Sequence, residues 1–165
     1  MGARLIRLEE ETGEDWWEVE ALYDLCFAPG REALSSYRLR EGVEKVSALC
    51  LVARDDGGVL AAVIRYWPVR VAGRDVLLLG PIAVHPTRQG EGLAALLMME
   101  SLVVATGLGW QRVLLVGDEP FYGRFGFHRL DAVVMPPPTN PARVLGMALQ
   151  PRAWDGVVGP VEKAD

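Results

Sequence analysis

The chain has 165 residues, half of them hydrophobic and a quarter charged, with a formal net charge of −5. This is the profile of one folded α/β-sized domain over residues 1–165, long enough to bury about two-thirds of its unfolded surface. The acidic balance argues against a nucleic-acid binder, which needs a dense basic face to displace counterions.

Residues 3–8 alternate as a short edge strand, with no secretory leader before them, and Ile6 stands where a myristoylation signal wants Ser or Thr. A helix-like period over 14–27 carries Trp17, Leu22, Leu25 and Cys26 and ends at Pro29-Gly30. A second, more polar helix is expected over 32–41, closing at Gly42. Strands follow over 46–53 and 59–66 around the hairpin signal Asp55-Asp56-Gly57-Gly58. A second turn at 72–75 leads into 76–84, a nearly continuous apolar run typical of a strand covered on both faces. The two cysteines, Cys26 and Cys50, sit in apolar runs without metal-ligand spacing, as small buried hydrophobes in a reducing compartment do.

Residues 91–106 form a helix that is apolar almost all round, so burial is expected. The run 92–107 is broken by Glu100 and Ser101 and is too short to span a bilayer, so a cytoplasmic protein with no membrane partner is expected. A strand over 112–116 and a short helix over 119–125 come next. Two last strands, 127–134 and 144–149, flank the stiff loop Pro136-Pro137-Pro138-Thr139-Asn140-Pro141. The order implies an α/β mixed sheet: an antiparallel meander, then a parallel strand–helix–strand crossover of right hand. Ligands bind such sheets beyond the carboxyl ends of the strands flanking the crossover, where residues 86–92 fall. Gly90 and Gly92 there permit a close backbone approach, and the following helix start offers unpaired N–H groups to phosphate. No Lys-Ser/Thr follows these glycines as in a P-loop, and no Gly-x-Gly-x-x-Gly occurs. His85 and His128 have no Cys or carboxylate partners at ligand spacing, so no metal site is expected.

The run Gln89-Gly90-Glu91-Gly92-Leu93-Ala94 after Val84-His85-Pro86 resembles the acyl-CoA signature of the GNAT N-acetyltransferase superfamily: Arg or Gln, two residues, Gly, one residue, Gly or Ala. Downstream, Gly117-Asp118-Glu119-Pro120-Phe121-Tyr122-Gly123-Arg124-Phe125-Gly126-Phe127 is similar to the late segment of that superfamily, where a Tyr in a short helix precedes Gly-Phe. With a tail containing Trp154-Asp155-Gly156, the whole resembles the YhbS-like branch.

The resemblance implies a single domain that transfers an acetyl group from acetyl-CoA to a primary amine, of a small molecule or of a protein, by direct attack in a ternary complex. Backbone N–H groups of Gln89, Gly90, Glu91, Gly92, Leu93 and Ala94 would hold the CoA pyrophosphate. Backbone groups of Ile82, Ala83 and Val84 would meet the pantetheine amides like an added strand. Tyr122 is the expected general acid, since a neutral phenol can protonate the departing thiolate. Its alternative is packing against Phe121, Phe125 and Phe127. Arg88 and Arg124 either reach CoA phosphates or are solvated; Asp118 either lies beside the slot or caps the short helix. The general base stays open among His85, His128, Asp118, Glu119 and a water chain. Tyr37, Arg38 and Trp67 are candidate acceptor-lining residues, and a helix face or sheet edge is available for a homodimer. The absence of an obvious base leaves a catalytically silent acyl-CoA sensor as the alternative function.

Overall fold

A computed structural model describes residues 5–27 and 35–164. The first residues of the expected edge strand, 3–4, and of the expected second helix, 32–34, lie outside them. Four strands form the antiparallel meander: β1 (Ile6–Glu10), β2 (Leu51–Asp55), β3 (Leu60–Val71) and β4 (Arg74–Val84). The crossover helix α3 (Leu93–Gly107) then leads to β5 (Arg112–Val116), which lies parallel to β4. Before the meander closes, α1 (Trp16–Cys26) and the single turn α2 (Ser35–Arg38) are laid down; after β5 comes the equally short α4 (Glu119–Tyr122). The remaining strands are β6 (His128–Arg129), β7 (Val133–Val134), β8 (Val144–Ala148) and β9 (Gly159–Lys163). In space the order runs β1-β2-β3-β4-β5-β8-β6, with β9 on the far half of β3 and β7 on β9.

Several boundaries differ from the sequence expectation for local reasons. The strand expected from residue 46 begins at Leu51, because Ser47–Leu49 coil into a 3-10 turn in which the Cys50 amide donates to the Ser47 carbonyl. β3 runs on past Tyr66 through Pro68 to Val71, and Pro68 falls between the stretch that pairs β2 and the stretch that pairs β9. A missing N–H is tolerated where one ladder has stopped and another has not begun. The expected strand 127–134 is broken into β6 and β7. The tail contributes β9, which its Gly159-Pro160 start concealed, with Val161 opposite Val71.

Burial divides by face. One side of the sheet packs Leu93, Leu97, Met98 and Ala105 of α3 onto Ile64, Tyr66, Leu77, Leu115 and Phe127. On the other side Val19, Leu22 and Tyr23 of α1 cover Val52, Val63 and Ala83. Each fully buried large side chain contributes about 1.5–3 kcal/mol. α3 is not buried as its sequence led one to expect: Leu96, Met99 and Val103 are exposed, since one layer over one sheet face can cover only one side of a helix. Tyr66 sits at the centre of this layer, its hydroxyl sharing a 2.7 Å hydrogen bond with Ser101.

Arg65 and Arg54 enter the core paired with carboxylates, whereas buried Arg112 donates to the Ala153 and Asp75 carbonyls. Glu11 takes Arg65 through both oxygens, at 2.9 and 2.7 Å, and Glu20 takes its remaining arm at 2.9 Å. Arg54 is held in the same manner by Asp15 at 2.6 Å and Glu18 at 2.9 and 3.0 Å. These ties fix α1 and its leading turn to the meander. The turn is closed by Thr12 and Asp15, whose carboxylate accepts from the Thr12 amide at 2.7 Å.

Candidate active site

β4 and β5 share only the pairs Leu77–Val113 and Leu78–Leu114 before they part. Opposite the parting, Gly80 and Pro81 bulge against Arg65 of β3, because Ile64 pairs with Ile82 but Tyr66 pairs with Leu79. The bulge is pinned from behind. The Trp67 indole donates to the Gly80 carbonyl at 2.9 Å and the Tyr23 hydroxyl donates to the Pro81 carbonyl at 2.8 Å. The β5-facing backbone of 80–84 is thereby left without a ladder partner.

Between the parted strands lies a cavity of roughly 470 Å³. Leu78, Leu79, Pro81, Ile82, Leu115, Phe121 and Phe27 give it apolar walls, with Ser36, Tyr37, Asp118, Tyr122 and Arg143 as its polar groups. Tyr122 faces it from α4. Its ring packs edge-on against Phe121 and Phe127, at 4.9 and 6.1 Å between centroids, and its hydroxyl makes no hydrogen bond to any described residue. Burial pushes the phenol above its ordinary value of 10; Arg143 opposes the shift and Asp118 adds to it. The ring can occupy this position only because residue 117 is glycine: a Cβ there would lie 2.8 Å from its Cδ2. This requirement is not visible in the sequence pattern, where Gly117 only opens the segment that resembles the late motif of the superfamily.

At the end of β4 the chain passes through a 3-10 turn, Pro86–Arg88, into α3. Gly90 and Gly92 have φ of +86° and +79°, a left-handed backbone that side chains rarely adopt. A Cβ on either would meet nothing within 4 Å, so the space over the helix start is open. Gly92 supplies no side-chain cap, and the first helical bond runs from Leu96 N–H to the Gly92 carbonyl at 3.0 Å. The amides of the first turn therefore point outward unpaired, which suits a phosphate.

Arg88 lies inside the protein. It is 7% exposed, with Glu91 across two bonds of 2.7 and 2.9 Å and Asp55 at 3.2 Å. Asp55 is itself fixed by the amides of Gly57 and Val59, at 2.9 and 3.0 Å. The Val59 amide is the largest influence holding its carboxyl below the usual range, with Gly57 and Arg88 assisting against partial desolvation. The glycine loop is thus stapled to the β2–β3 turn through Arg88 and Glu91, a tie that neither residue type announced. Gln89 turns back on β4, its amide 3.5 Å from the Val84 carbonyl.

The other candidates separate clearly. Arg124 lies over the rings of Phe121 and Phe125 and donates to the Phe121 carbonyl at 3.3 Å. The His85 ring accepts from the Thr87 amide at 3.2 Å, capping the 3-10 turn. His128 is exposed on β6, and neither it nor Glu119 lines the cavity. Asp118 does, and its carboxylate makes no cap bond to α4. Tyr37 lines the cavity too. Arg38 instead donates to the Pro137 carbonyl at 2.9 Å, and Trp67 holds Gly80 from behind. Arg143 escaped the sequence reading, because nothing in a proline-rich loop marks the residue that will reach the slot. No cluster of His, Cys, Asp and Glu among the described residues is arranged to hold a metal, and no helix among them is long and apolar enough to cross a membrane.

A sheet that splits beside a glycine-led helix start is a geometry that known proteins share. The model of the acetyltransferase (GNAT) family matches residues 16–127. The chain belongs to the GNAT acetyltransferase family. Over 111 residues it is 36% identical to the N-acetyltransferase YhbS of Escherichia coli K12, an alignment covering 66% of this chain and 65% of that protein. The chain thus aligns to just under two-thirds of the length of that curated relative. The crystal structure of Escherichia coli YhbS in complex with CoA superposes with a TM-score of 0.81 at 32% identity, over 98% of this chain and 89% of that one. A GNAT acetyltransferase from Brucella melitensis, solved with acetyl-CoA, gives 0.72 at 26% identity, over 97% and 96%. The mixed sheet with its antiparallel meander and parallel crossover is the GNAT fold.

Proposed function

We propose that this GNAT domain transfers the acetyl group of acetyl-CoA to a primary amine, with Tyr122 as general acid. The carrying observation is the coincidence of three features: unpaired amides at the start of α3, the unpaired β4 backbone leading away from them, and a phenol facing the cavity where the strands part. Similarity to relatives solved with CoA and acetyl-CoA supports the choice of donor. In this reading the amides of residues 89–94 take the pyrophosphate, with Arg88 and Glu91 shaping the loop from beneath. The β4 backbone from Ile82 to Val84 meets the pantetheine amides, and the apolar walls keep water from the thioester.

The amine must arrive neutral, so an ammonium first gives up a proton. Its nitrogen then forms a bond to the thioester carbonyl carbon, the C–S bond breaks, and Tyr122 gives its proton to the departing sulfur. The second proton lost by the nitrogen restores the phenol, so one proton is released per acetyl group transferred. Burial keeps Tyr122 protonated at neutral pH without placing a charge beside the sulfur.

The test is a thermal-shift titration with acetyl-CoA, CoA and ATP on the native chain, Gly92→Ala and Gly92→Glu. A ligand at about 100 times its Kd adds roughly 2.7 kcal/mol, or about 5–10 °C for a chain of this size. The expected result is a shift with both CoA species and none with ATP, lost in Gly92→Glu beyond the strain effect that Gly92→Ala measures. No shift with either CoA species would sink the reading.

A further inference from the structure

Asp118 and Arg143 are two opposite charges on the wall of one cavity, and neither is engaged. Arg143 forms no ion pair and no side-chain hydrogen bond with any described residue, and the Asp118 carboxylate forms none either. Both line the same cavity as Tyr122. Their backbones are held firmly. The Arg143 amide donates to the Asn140 carbonyl at 2.9 Å, its carbonyl accepts from the Gly117 amide at 2.9 Å, and the Asn140 side chain caps the turn between them by accepting from Ala142 at 3.0 Å. The Asp118 carbonyl accepts the Tyr122 amide at 3.0 Å.

The other arginines near the site are committed. Arg88 is held by Glu91 and Asp55, Arg65 by Glu11 and Glu20, and Arg38 by the Pro137 carbonyl. Arg40 lies 3.5 Å from the Tyr37 ring centroid and 4.5 Å from that of Trp67, and Arg124 lies over Phe121. A guanidinium with five donors and a carboxylate with four acceptor sites, both at the exposed mouth of a cavity whose other polar groups are Ser36, Tyr37 and Tyr122, suit a ligand that carries the opposite pair.

We propose that the acceptor is a small zwitterion, an amine bearing a carboxylate on an apolar body, as in an apolar α-amino acid. Arg143 takes its carboxylate. Asp118 takes its ammonium and accepts the first proton that the nitrogen loses, beside the phenol that later protonates the sulfur. Phe27, Pro81 and Phe121 receive the apolar body. This inference rests on the acetyl-transfer reading for its chemistry, but the recognition it describes is a matter of binding alone.

The experiment is calorimetry of L-leucine and L-phenylalanine against isoamylamine and phenethylamine, with and without CoA, on the native chain, Arg143→Gln and Asp118→Asn. Acetyl-CoA affinity is measured separately on all three. The expected result is that removing the carboxylate weakens binding about 10–100-fold in the native chain, the worth of a charge-assisted contact. Arg143→Gln should abolish that preference, and Asp118→Asn should weaken acids and amines alike, both with acetyl-CoA affinity unchanged. Equal affinity for acids and amines in the native chain overturns the proposal, as does binding of neither. So does an Arg143→Gln defect that falls on acetyl-CoA, which would place the guanidinium with the donor. Loss of acetyl-CoA binding by the native chain would instead count against the transferase reading, leaving the acid-versus-amine comparison to stand by itself.

Discussion

Around α1, Arg65 and Arg54 are each gripped by two carboxylates; at the slot, Asp118 and Arg143 line one cavity with no such partner among the described residues. The first arrangement offsets the cost of taking charge out of water, and it locks a helix to a sheet. The second leaves charge where a ligand can reach it, and contributes nothing that the fold requires. The contrast separates arginines that hold the molecule together from one that is available for work, although all are the same residue type within one small domain.

Four measurements press on that contrast. The largest expected effect is on turnover: Tyr122→Phe should lower kcat by about 10²–10⁴-fold while acetyl-CoA affinity stays within about twofold. Gly117→Ala should act in the same direction through displacement of the Tyr122 ring. An equal loss of acetyl-CoA binding would make Tyr122 a cofactor wall rather than an acid.

Next comes stability. Glu11→Gln leaves the Arg65 guanidinium short of a partner in the interior and should cost about 3–5 kcal/mol, roughly 6–20 °C in Tm. Arg143→Gln should stay within about 0.5 kcal/mol of the native chain. A comparable melting loss at Arg143 would erase the distinction drawn here.

The pH dependence is third. Burial raises the Tyr122 phenol above its ordinary value, so the acid form persists through neutral and mildly alkaline conditions, and the alkaline loss of kcat should set in at higher pH than an ordinary phenol would give. In Tyr122→Phe that limb should vanish. The smallest effect concerns Asp55. Its carboxyl lies below the ordinary 3.8, so its tie to Arg88 is present above that value and lost as the pH falls through the lowered one. Acetyl-CoA affinity should therefore fall several-fold on Asp55→Asn at pH 7 and still at pH 4, and become insensitive to the substitution only at a pH below the lowered value.

Much of this was legible in the chain before any coordinates. The continuous apolar run 76–84 and the glycines at 90 and 92 announced the central strand and the helix start, because each rests on local backbone chemistry, whereas Tyr122 was singled out through the resemblance to the GNAT superfamily. Three things were hidden, two of them because they depend on residues distant in sequence. The Arg88–Asp55 tie spans 33 residues. The closeness of Gly117 to the Tyr122 ring depends on how α4 folds back, and Arg143 arrives from a loop whose prolines read only as stiffness. β9 was concealed for the same reason: its partners on β3 lie some ninety residues earlier.

The staple between the glycine loop and the β2–β3 turn also orders events in time. Hairpins and helix turns close over short contour lengths and form quickly, whereas contacts between distant segments wait on slower chain encounters. The β2–β3 hairpin can assemble from its own residues, and α3 can begin winding from its own; the loop between β4 and α3 takes its shape only once Arg88 finds Asp55. The anion cradle is therefore expected to form after the hairpin it leans on but before the sheet receives its last strand, since the Arg88–Asp55 tie spans 33 residues and the pairing of β9 with β3 about ninety.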